Sequence, residues 1–266
     1  MNEKQIKQKL LYLVGSFFVN CCGKEKKSQE ILKSLHNKYM GKRCFIIGNG
    51  PSLTPEDLDK LKGEITFASN RIYTIFNKTE WRPSYYGIID ESVSRTPGLI
   101  QEVSNMKCIK FLRKEGFLYY KDIKGDTCYI HSWWDRKYLD NPQFSEDLTQ
   151  GIYTIATVTY ALIEIAYWMG FSEIYLLGMD NRYKFGMTRD GRVFRNKGVC
   201  NYFGEDVKDE PLPQTAPATW EMDVAYEYAE KFSREHGFRI YNATRGGFLE
   251  KFERVDLDEV LERPGN

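Results

Sequence analysis

The chain has 266 residues, of which 42% are hydrophobic and 28% charged, and its formal net charge is +1. This balance is typical of a folded globular protein and argues against disorder. The near-zero charge argues against a nucleic-acid binder, because such proteins owe much of their affinity to cationic groups that neutralise phosphates. The six cysteines include no C-x-x-C pair, which argues against a zinc site and indicates a reducing cytoplasm.

The N-terminus contains an apolar run, residues 10–19, with lysines on both sides of it between Lys7 and Lys27. The run is too short to cross a bilayer and lacks a signal-peptide cleavage site. Residues 1–40 are therefore predicted to form a helical segment with two alternative roles. One is an interfacial helix that contacts the inner face of the cell membrane through residues 7–27. The other is a helix that packs on its own domain or on a second copy in a homo-oligomer.

After residue 40, short apolar runs alternate with helical segments. The predicted strands are residues 43–47, 65–69, 85–89, 108–112, 127–130, 173–177 and 239–242. The predicted helices are residues 55–61 behind the cap Thr54, then 157–169 and 220–235. Residues 181–217 have no clear periodicity, which is typical of an active-site lid or a partly disordered stretch. The alternation predicts one Rossmann-like α/β domain over residues 41–266, with a mostly parallel sheet covered on both faces.

Polar residues follow four of the predicted strands, where open parallel sheets bind their ligands. They are the loop Gly48-Asn49-Gly50-Pro51-Ser52, the pair Asn70-Arg71, the pair Asp90-Glu91 and the segment 178–183. In the first loop, the glycines allow close approach to a phosphate, and free backbone N–H groups would form an anion nest with Ser52 as a further donor. The alternative is a tight structural turn.

The other strand ends and the start of the buried helix add candidate roles. Asn70 suits contact with a base or a ribose, and its alternative role is a helix cap. Arg71 suits neutralisation of a phosphate, and its alternative is a solvated surface charge. Asp90 and Asp180 are each able to accept a proton, bind a ribose hydroxyl, hold Mg²⁺ or cap a helix. Thr157 and Thr159 open the buried helix, where hydroxyls and free N–H groups either meet an anion or only cap the helix.

Five motifs, at residues 46–53, 69–73, 157–160, 170–180 and 240–244, carry a family resemblance. From about residue 41 onwards the chain resembles the MptE-like family, which groups with archaeal 6-hydroxymethylpterin diphosphokinase. The same Gly-Asn-Gly-Pro-Ser-Leu and Gly-Met-Asp motifs resemble the bacterial sialyltransferases that build lipooligosaccharide. The resemblance implies a GT-A-like variant of the Rossmann fold with a nucleotide site. The implied nucleotide-binding residues are Gly48, Asn49, Gly50, Pro51, Ser52 and Asn70, with Thr157 and Thr159 near the phosphate.

For catalysis, the resemblance implies that Tyr183 meets the leaving phosphate, with Arg182 as an alternative source of charge stabilisation. The sialyltransferases carry a histidine base in a His-Tyr-Ile-Gly-His loop. In the nearest match, Asn201 to Glu205, a glutamate stands at the position of that histidine. Glu205 is therefore the predicted base, with Asp180 and Asp90 as alternatives.

Two activities follow from these motifs. The first is a transferase that uses a CMP-sugar or similar nucleotide-activated donor to modify a cell-surface glycan, with a glycan or small-alcohol acceptor. The second is an ATP-dependent diphosphokinase, for which Mg²⁺ held by Asp90 and Asp180 is the only cofactor expected. A third hypothesis is an inactive scaffold that binds a nucleotide or a partner.

Overall fold

The structure, a computed structural model, describes residues 3–90, 93–204 and 210–263. Within these ranges the helices are α1 Glu3–Cys21, α2 Lys24–Leu35, α3 Pro55–Lys60, α4 Leu99–Asn105, α5 Phe117–Tyr120, α6 Lys137–Asp140, α7 Val158–Trp168, α8 Thr219–Glu235 and α9 Leu257–Glu262. The strands are β1 Arg43–Ile47, β2 Thr66–Ser69, β3 Tyr85–Ile88, β4 Ile109–Arg113, β5 Thr127–Ile130, β6 Ser132–Trp133, β7 Ile152–Tyr153, β8 Glu173–Leu177, β9 Phe185–Met187, β10 Val193–Arg195, β11 Arg239–Asn242 and β12 Glu253–Arg254.

Eight of these strands form one sheet in the order β12-β11-β8-β1-β2-β3-β4-β5. Every neighbouring pair in it is parallel. The chain moves outward from β1 to β5 and then returns to the other side of β1 with β8. The strand order therefore reverses between β1 and β8, the kind of switch point at which open α/β sheets bind ligands. The predicted α/β fold with a mostly parallel sheet is confirmed.

The apolar runs predicted the long strands well. Strands β1, β5, β8 and β11 begin and end at the predicted residues, β2 and β3 differ from the prediction by one residue at one end, and β4 is shifted by one residue at both ends. Helix α3 begins as predicted, with a reciprocal capping box between Thr54 and Asp57. Residues 181–217 contain the β9–β10 hairpin, which the sequence did not predict.

Helices cover both faces of the sheet. In β1, Cys44 and Ile46 face a core shared with α2, α7 and α8, whereas Phe45 and Ile47 face a core shared with α1, α3, α4, α5 and α9. Helix α7 is buried along most of its length, as its nearly continuous apolar sequence predicted. These two cores fix the positions of the loops at the carboxyl ends of the strands.

Helix α1 packs on the domain with one face and exposes the other. Gly15 lies against the Glu115 carbonyl and Val19 is fully buried. Leu10, Leu13 and Phe17 recur at helical spacing on the opposite face and are each about 60% exposed. Among the described residues no helix is long and apolar enough to span a membrane. The packed face agrees with the predicted role of a helix that packs on its own domain. The membrane role of the exposed face remains a prediction.

Candidate functional site

The loops that follow β1 and β8 are in direct contact at the switch point. The Gly48 amide donates to the Leu177 carbonyl at 2.7 Å, and the Gly50 amide donates to the Gly178 carbonyl at 3.0 Å. A Cβ on Gly48 would overlap the Gly178 carbonyl and lie 2.8 Å from the Met179 sulfur. The backbone N–H groups of residues 48–52 are predicted to form an anion nest, but two of them, those of Gly48 and Gly50, are not free, because β8 and the loop after it already accept them. The glycines are required for close packing of the two loops.

Asp180 fastens these loops together from the β8 side. Its Oδ2 accepts the Ser52 hydroxyl at 2.7 Å and the Ser52 amide at 3.3 Å. A Cβ on Gly50 would lie 2.7 Å from the Asp180 Cγ, so the carboxylate occupies the space that glycine leaves. The Asp180 carbonyl in turn accepts the Phe248 amide at 2.8 Å. The Ser52 donors, predicted to meet a phosphate, here meet a carboxylate of the protein itself.

Three asparagine side chains at the ends of β1, β2 and β8 have buried oxygens without a hydrogen-bond partner in the described ranges. They belong to Asn49, Asn70 and Asn181. The Asn49 amide group donates to the Ser69 carbonyl at 3.1 Å and that of Asn181 to Asp223 at 2.9 Å, so both side chains are held while their oxygens remain unused. An unsatisfied buried acceptor costs about 1–3 kcal/mol. These oxygens are therefore candidate acceptors for N–H or O–H groups of a ligand.

The backbone at two of these asparagines is also unusual. Asn70 has φ 52° and Asn181 has φ 51°, in the left-handed region that L-residues other than glycine seldom adopt. Asparagine tolerates this region better than most residues. Left-handed residues cluster at ligand sites, where the surrounding structure maintains them. We call the three loop ends at residues 48–52, 70–71 and 178–183 the central edge of the sheet.

Residues 201–204 close over the central edge, and the sequence did not predict this. The Phe203 amide donates to the Asn49 carbonyl at 3.2 Å, and the Arg71 guanidinium lies 4.5 Å from the centroid of the Tyr202 ring. The available sequence signal for Tyr202 was its position in the segment 201–205, the nearest match to the His-Tyr-Ile-Gly-His loop of the sialyltransferases. Glu205, the predicted base, lies outside the described residues, so its role remains a prediction.

Tyr183 and Arg182 follow Asp180 at this edge. Burial raises the pKa of the Tyr183 hydroxyl, with smaller contributions from Tyr226, Tyr202 and Asp180, so it is neutral at physiological pH, and it donates to the Met222 sulfur at 3.5 Å. The Arg182 guanidinium lies 4.5 Å from the centroid of the exposed Phe248 ring. In the described ranges no carboxylate pairs with Arg182, which leaves its charge available to a ligand.

Thr157 and Thr159 have structural roles at the start of α7. Thr157 is the N-cap residue, and its hydroxyl accepts the Thr159 amide at 3.2 Å and lies 3.5 Å from the Tyr226 hydroxyl. The Thr159 hydroxyl donates to the Met179 sulfur at 3.5 Å. The capping alternative is thus observed, while anion binding by these threonines remains a prediction. Tyr226 was not predicted, because nothing in the periodicity of α8 marks it as a site residue.

Asp90 lies apart from the centre of the site. It is exposed at the end of β3, which is separated from β8 by β1 and β2. Three strand spacings amount to roughly 14 Å, whereas Mg²⁺ ligands lie about 2 Å from the ion. The strand positions of Asp90 and Asp180 therefore do not fit one shared Mg²⁺. Among the described residues no group of three or more His, Cys, Asp or Glu side chains could hold a metal ion.

Comparisons with known proteins place this fold in a family. Residues 22–186, more than half of the chain, match the family model described as 6-hydroxymethylpterin diphosphokinase MptE-like. No curated protein matches the chain.

Two solved structures are similar to the chain at low sequence identity. The MAf glycosyltransferase from Magnetospirillum magneticum AMB-1 is 14% identical with a TM-score of 0.49, and the match covers 88% of this chain and 38% of that one. The sialyltransferase CstII from Campylobacter jejuni, solved in complex with the substrate analogue cytidine-5'-monophosphate, is 17% identical with a TM-score of 0.42. That match covers 81% of this chain and 85% of the sialyltransferase chain. The chain thus spans little more than a third of the first structure.

Proposed function

The chain belongs to the 6-hydroxymethylpterin diphosphokinase MptE-like family, and on this premise we propose that it is a transferase whose nucleotide-activated donor binds at the central edge. The donor proposed first is a CMP-sugar or a similar compound. The product would be a modified cell-surface glycan, with a glycan or a small alcohol as acceptor.

The observation that carries this proposal is the set of unused oxygens on Asn49, Asn70 and Asn181. Acceptors of this kind require donors, and a phosphodiester offers none. A nucleoside offers several, namely its ribose hydroxyls and the exocyclic amine of cytosine or adenine. The asparagines therefore suit the nucleoside half of the donor, and Arg71 and Arg182 suit its phosphate.

In the proposed reaction, the bond between the anomeric carbon of the sugar and the phosphate oxygen breaks. Its electron pair stays on the phosphate, where Arg182 and the neutral Tyr183 hydroxyl stabilise the departing charge. A new bond forms between the anomeric carbon and an acceptor oxygen, whose proton passes to a base. Glu205 is the first candidate for that base. Asp180 suits anchoring better, because its carboxylate already accepts two hydrogen bonds from Ser52.

The exposed face of α1 supports a proposed location for this chemistry. Leu10, Leu13 and Phe17 form an apolar stripe, and Lys24, Lys26 and Lys27 follow the helix. Such a combination suits a helix that lies on an anionic membrane surface, here the inner face of the cell membrane. Contact between two copies of the chain through the same stripe is the competing proposal.

The diphosphokinase is the second candidate, and the family description supports it. In that reaction pyrophosphate would pass from ATP to a hydroxymethyl group. The adenine amine suits the asparagine oxygens as well as cytosine does. The position of Asp90 relative to Asp180 is the main observation against the shared Mg²⁺ site proposed for it.

Thermal shift with a nucleotide panel tests the proposal. We expect CMP at millimolar concentration to raise the Tm, because a ligand at ten times its Kd stabilises the fold by about 1.4 kcal/mol, or roughly 3–6 °C for a chain of this size. The panel also contains CDP, UDP, GDP and ATP with and without Mg²⁺. Asn181→Ala is expected to abolish the shift, whereas the exposed Asn141→Ala is expected to retain it.

The possible results separate the candidates. A shift with ATP that requires Mg²⁺, without one for CMP, would favour the diphosphokinase. The absence of a shift with every nucleotide would contradict both enzymes.

A further inference from the structure

A cavity of about 200 Å³ lies at the N-terminal ends of α7 and α8. Its walls are formed by residues 134–136, Leu139, residues 154–156 and Glu221. Two short stretches of chain connect it to the nucleotide site. Ala156 immediately precedes Thr157, which caps α7, and Glu221 lies two residues before Asp223, which holds Asn181.

We propose that this cavity is the acceptor subsite and that it takes a neutral, ring-shaped polyhydroxyl compound, a sugar residue rather than an acidic sugar or a flat heterocycle. The inference rests on the proposed nucleotide-dependent transfer, since it assigns the second substrate of that reaction. The cavity is smaller than the pockets of roughly 300–1,000 Å³ that enclose drug-sized ligands, so it suits a single ring.

Trp134 provides the apolar surface of this subsite. It lines the cavity and is 64% exposed, although tryptophan is usually among the more buried residues. Its indole presents a large, rigid and apolar face, on which the C–H face of a sugar ring can pack. Among the described residues no ring contact involves Trp134, whereas its neighbour Trp133 packs against His131 and Tyr153.

Thr154 and Glu221 provide polar groups around this face. Thr154 is 95% buried, since its exposed fraction is 5%, and its hydroxyl has no hydrogen-bond partner in the described part of the chain. The Glu221 carboxylate also makes no ion pair or hydrogen bond with a described residue. An unpartnered buried hydroxyl and a carboxylate acceptor match ring hydroxyls, which both donate and accept.

The charges around the cavity do not favour an anion. Asp135 and Glu221 carry negative charges and Arg136 a positive charge, and the Lys137 ammonium lies 4.0 Å from the Asp135 carboxylate. The walls therefore hold no excess positive charge that would attract a carboxylated sugar, and a neutral ring suits them.

The backbone between the cavity and the nucleotide site is strained. Ala156 has φ 57°, and the Thr157 amide donates to the Ile155 carbonyl at 2.6 Å across a three-residue turn. A left-handed alanine is uncommon and requires support from its surroundings. This turn joins the cavity wall to Thr157 at the start of α7, and Thr159 in the first turn of that helix contacts Met179 of the central edge at 3.5 Å.

Saturation-transfer NMR tests the subsite without any turnover. The probes are methyl β-galactopyranoside, methyl α-glucopyranoside and myo-inositol, compared with N-acetylneuraminic acid and 6-hydroxymethylpterin. We expect transfer to at least one neutral probe in the wild type and at least tenfold weaker binding in Trp134→Ala. Glu221→Gln is expected to weaken it severalfold. The control Phe194→Ala removes another exposed aromatic ring, in the β9–β10 hairpin, and should leave binding unchanged.

The outcomes keep this inference separate from the proposed function. Retention of the CMP-induced Tm shift in Trp134→Ala, together with loss of the sugar signal, supports the assignment. A CMP shift with no transfer to any neutral probe, or with transfer insensitive to Trp134→Ala, overturns the subsite and leaves the donor site standing. Preferential transfer to the pterin or the acidic sugar also overturns the neutral-ring assignment. Sugar binding without any nucleotide shift supports the subsite and contradicts the donor site.

Discussion

Replacement of Gly50 by alanine probes the contact between the two central loops. The new Cβ would lie 2.7 Å from the Asp180 Cγ and 2.8 Å from the Gly178 carbonyl oxygen, both too close for a real contact. The carboxylate can rotate away, but it then loses the two hydrogen bonds from Ser52. Hydrogen bonds to charged groups contribute about 1.5–3 kcal/mol each when buried. Because Asp180 is only half-buried, we expect Gly50→Ala to cost about 2–4 kcal/mol.

The double variant separates this cause from general crowding. In an Asp180→Ala background the hydrogen bonds are already absent, and only the carbonyl contact opposes the new Cβ. Gly50→Ala should then cost about 1–2 kcal/mol, with a coupling energy of about 1–2 kcal/mol between the two sites. Urea denaturation of the four proteins measures the free energies of unfolding. The control Gly191→Ala has no atom within 4 Å of its Cβ, although its φ of 84° imposes a cost of its own, on the order of 1 kcal/mol. Additivity of Gly50→Ala and Asp180→Ala within about 0.3 kcal/mol would refute the contact.

Three further predictions follow. Arg182→Ala should weaken the binding of CMP about tenfold, or about 1.4 kcal/mol, and leave the binding of cytidine unchanged in calorimetric titrations. An equal loss of affinity for both ligands would contradict a phosphate role for Arg182. Glu164→Gln should destabilise the fold by about 1–3 kcal/mol in urea denaturation, because both carboxylate oxygens accept backbone amides and an amide group can accept only one. Burial raises the pKa of Glu164, so the folded state binds the proton more tightly than the unfolded state does, and the wild type loses stability as pH rises above the ordinary value of 4.5. The difference in free energy of unfolding between the wild type and Glu164→Gln should therefore shrink as pH rises. A difference that grows with pH would contradict the assignment. The double variant Leu13→Ser/Phe17→Ser should bind phosphatidylglycerol vesicles at least tenfold more weakly in co-sedimentation, since a buried apolar side chain contributes about 1.5–3 kcal/mol. Unchanged sedimentation would contradict the membrane role, and so would a wild-type dimer that becomes a monomer in the variant.

The sequence predicted the strands and the edge at which the site lies because both follow from local patterns. The runs that became β1 and β8 are short, apolar and followed by Gly48 and Gly178, so their ends were recognisable. The general behaviour of parallel sheets then placed the polar residues after them at one edge. Asn49, Asn70 and Asn181 all lie in the segments that this argument selected.

The sequence could not reveal which strands are neighbours, and the details of the site depend on that. The Gly48 and Gly50 amides are occupied only because β8 lies beside β1, a pairing between residues more than 125 positions apart. Asp90 is remote from Asp180 for the same reason, since two strands separate β3 from β8. The closure of residues 201–204 over Asn49 is likewise a long-range contact without a periodic signal. Local patterns thus predicted the elements, and long-range packing determined which of their groups remain available.

A crystal structure of the protein with CMP tests the central claim most directly. We expect the cytosine amine and the ribose hydroxyls within hydrogen-bond distance of the Asn49, Asn70 and Asn181 side-chain oxygens, and the phosphate beside Arg182. A nucleotide bound elsewhere, with these three oxygens still unpartnered, would contradict the account.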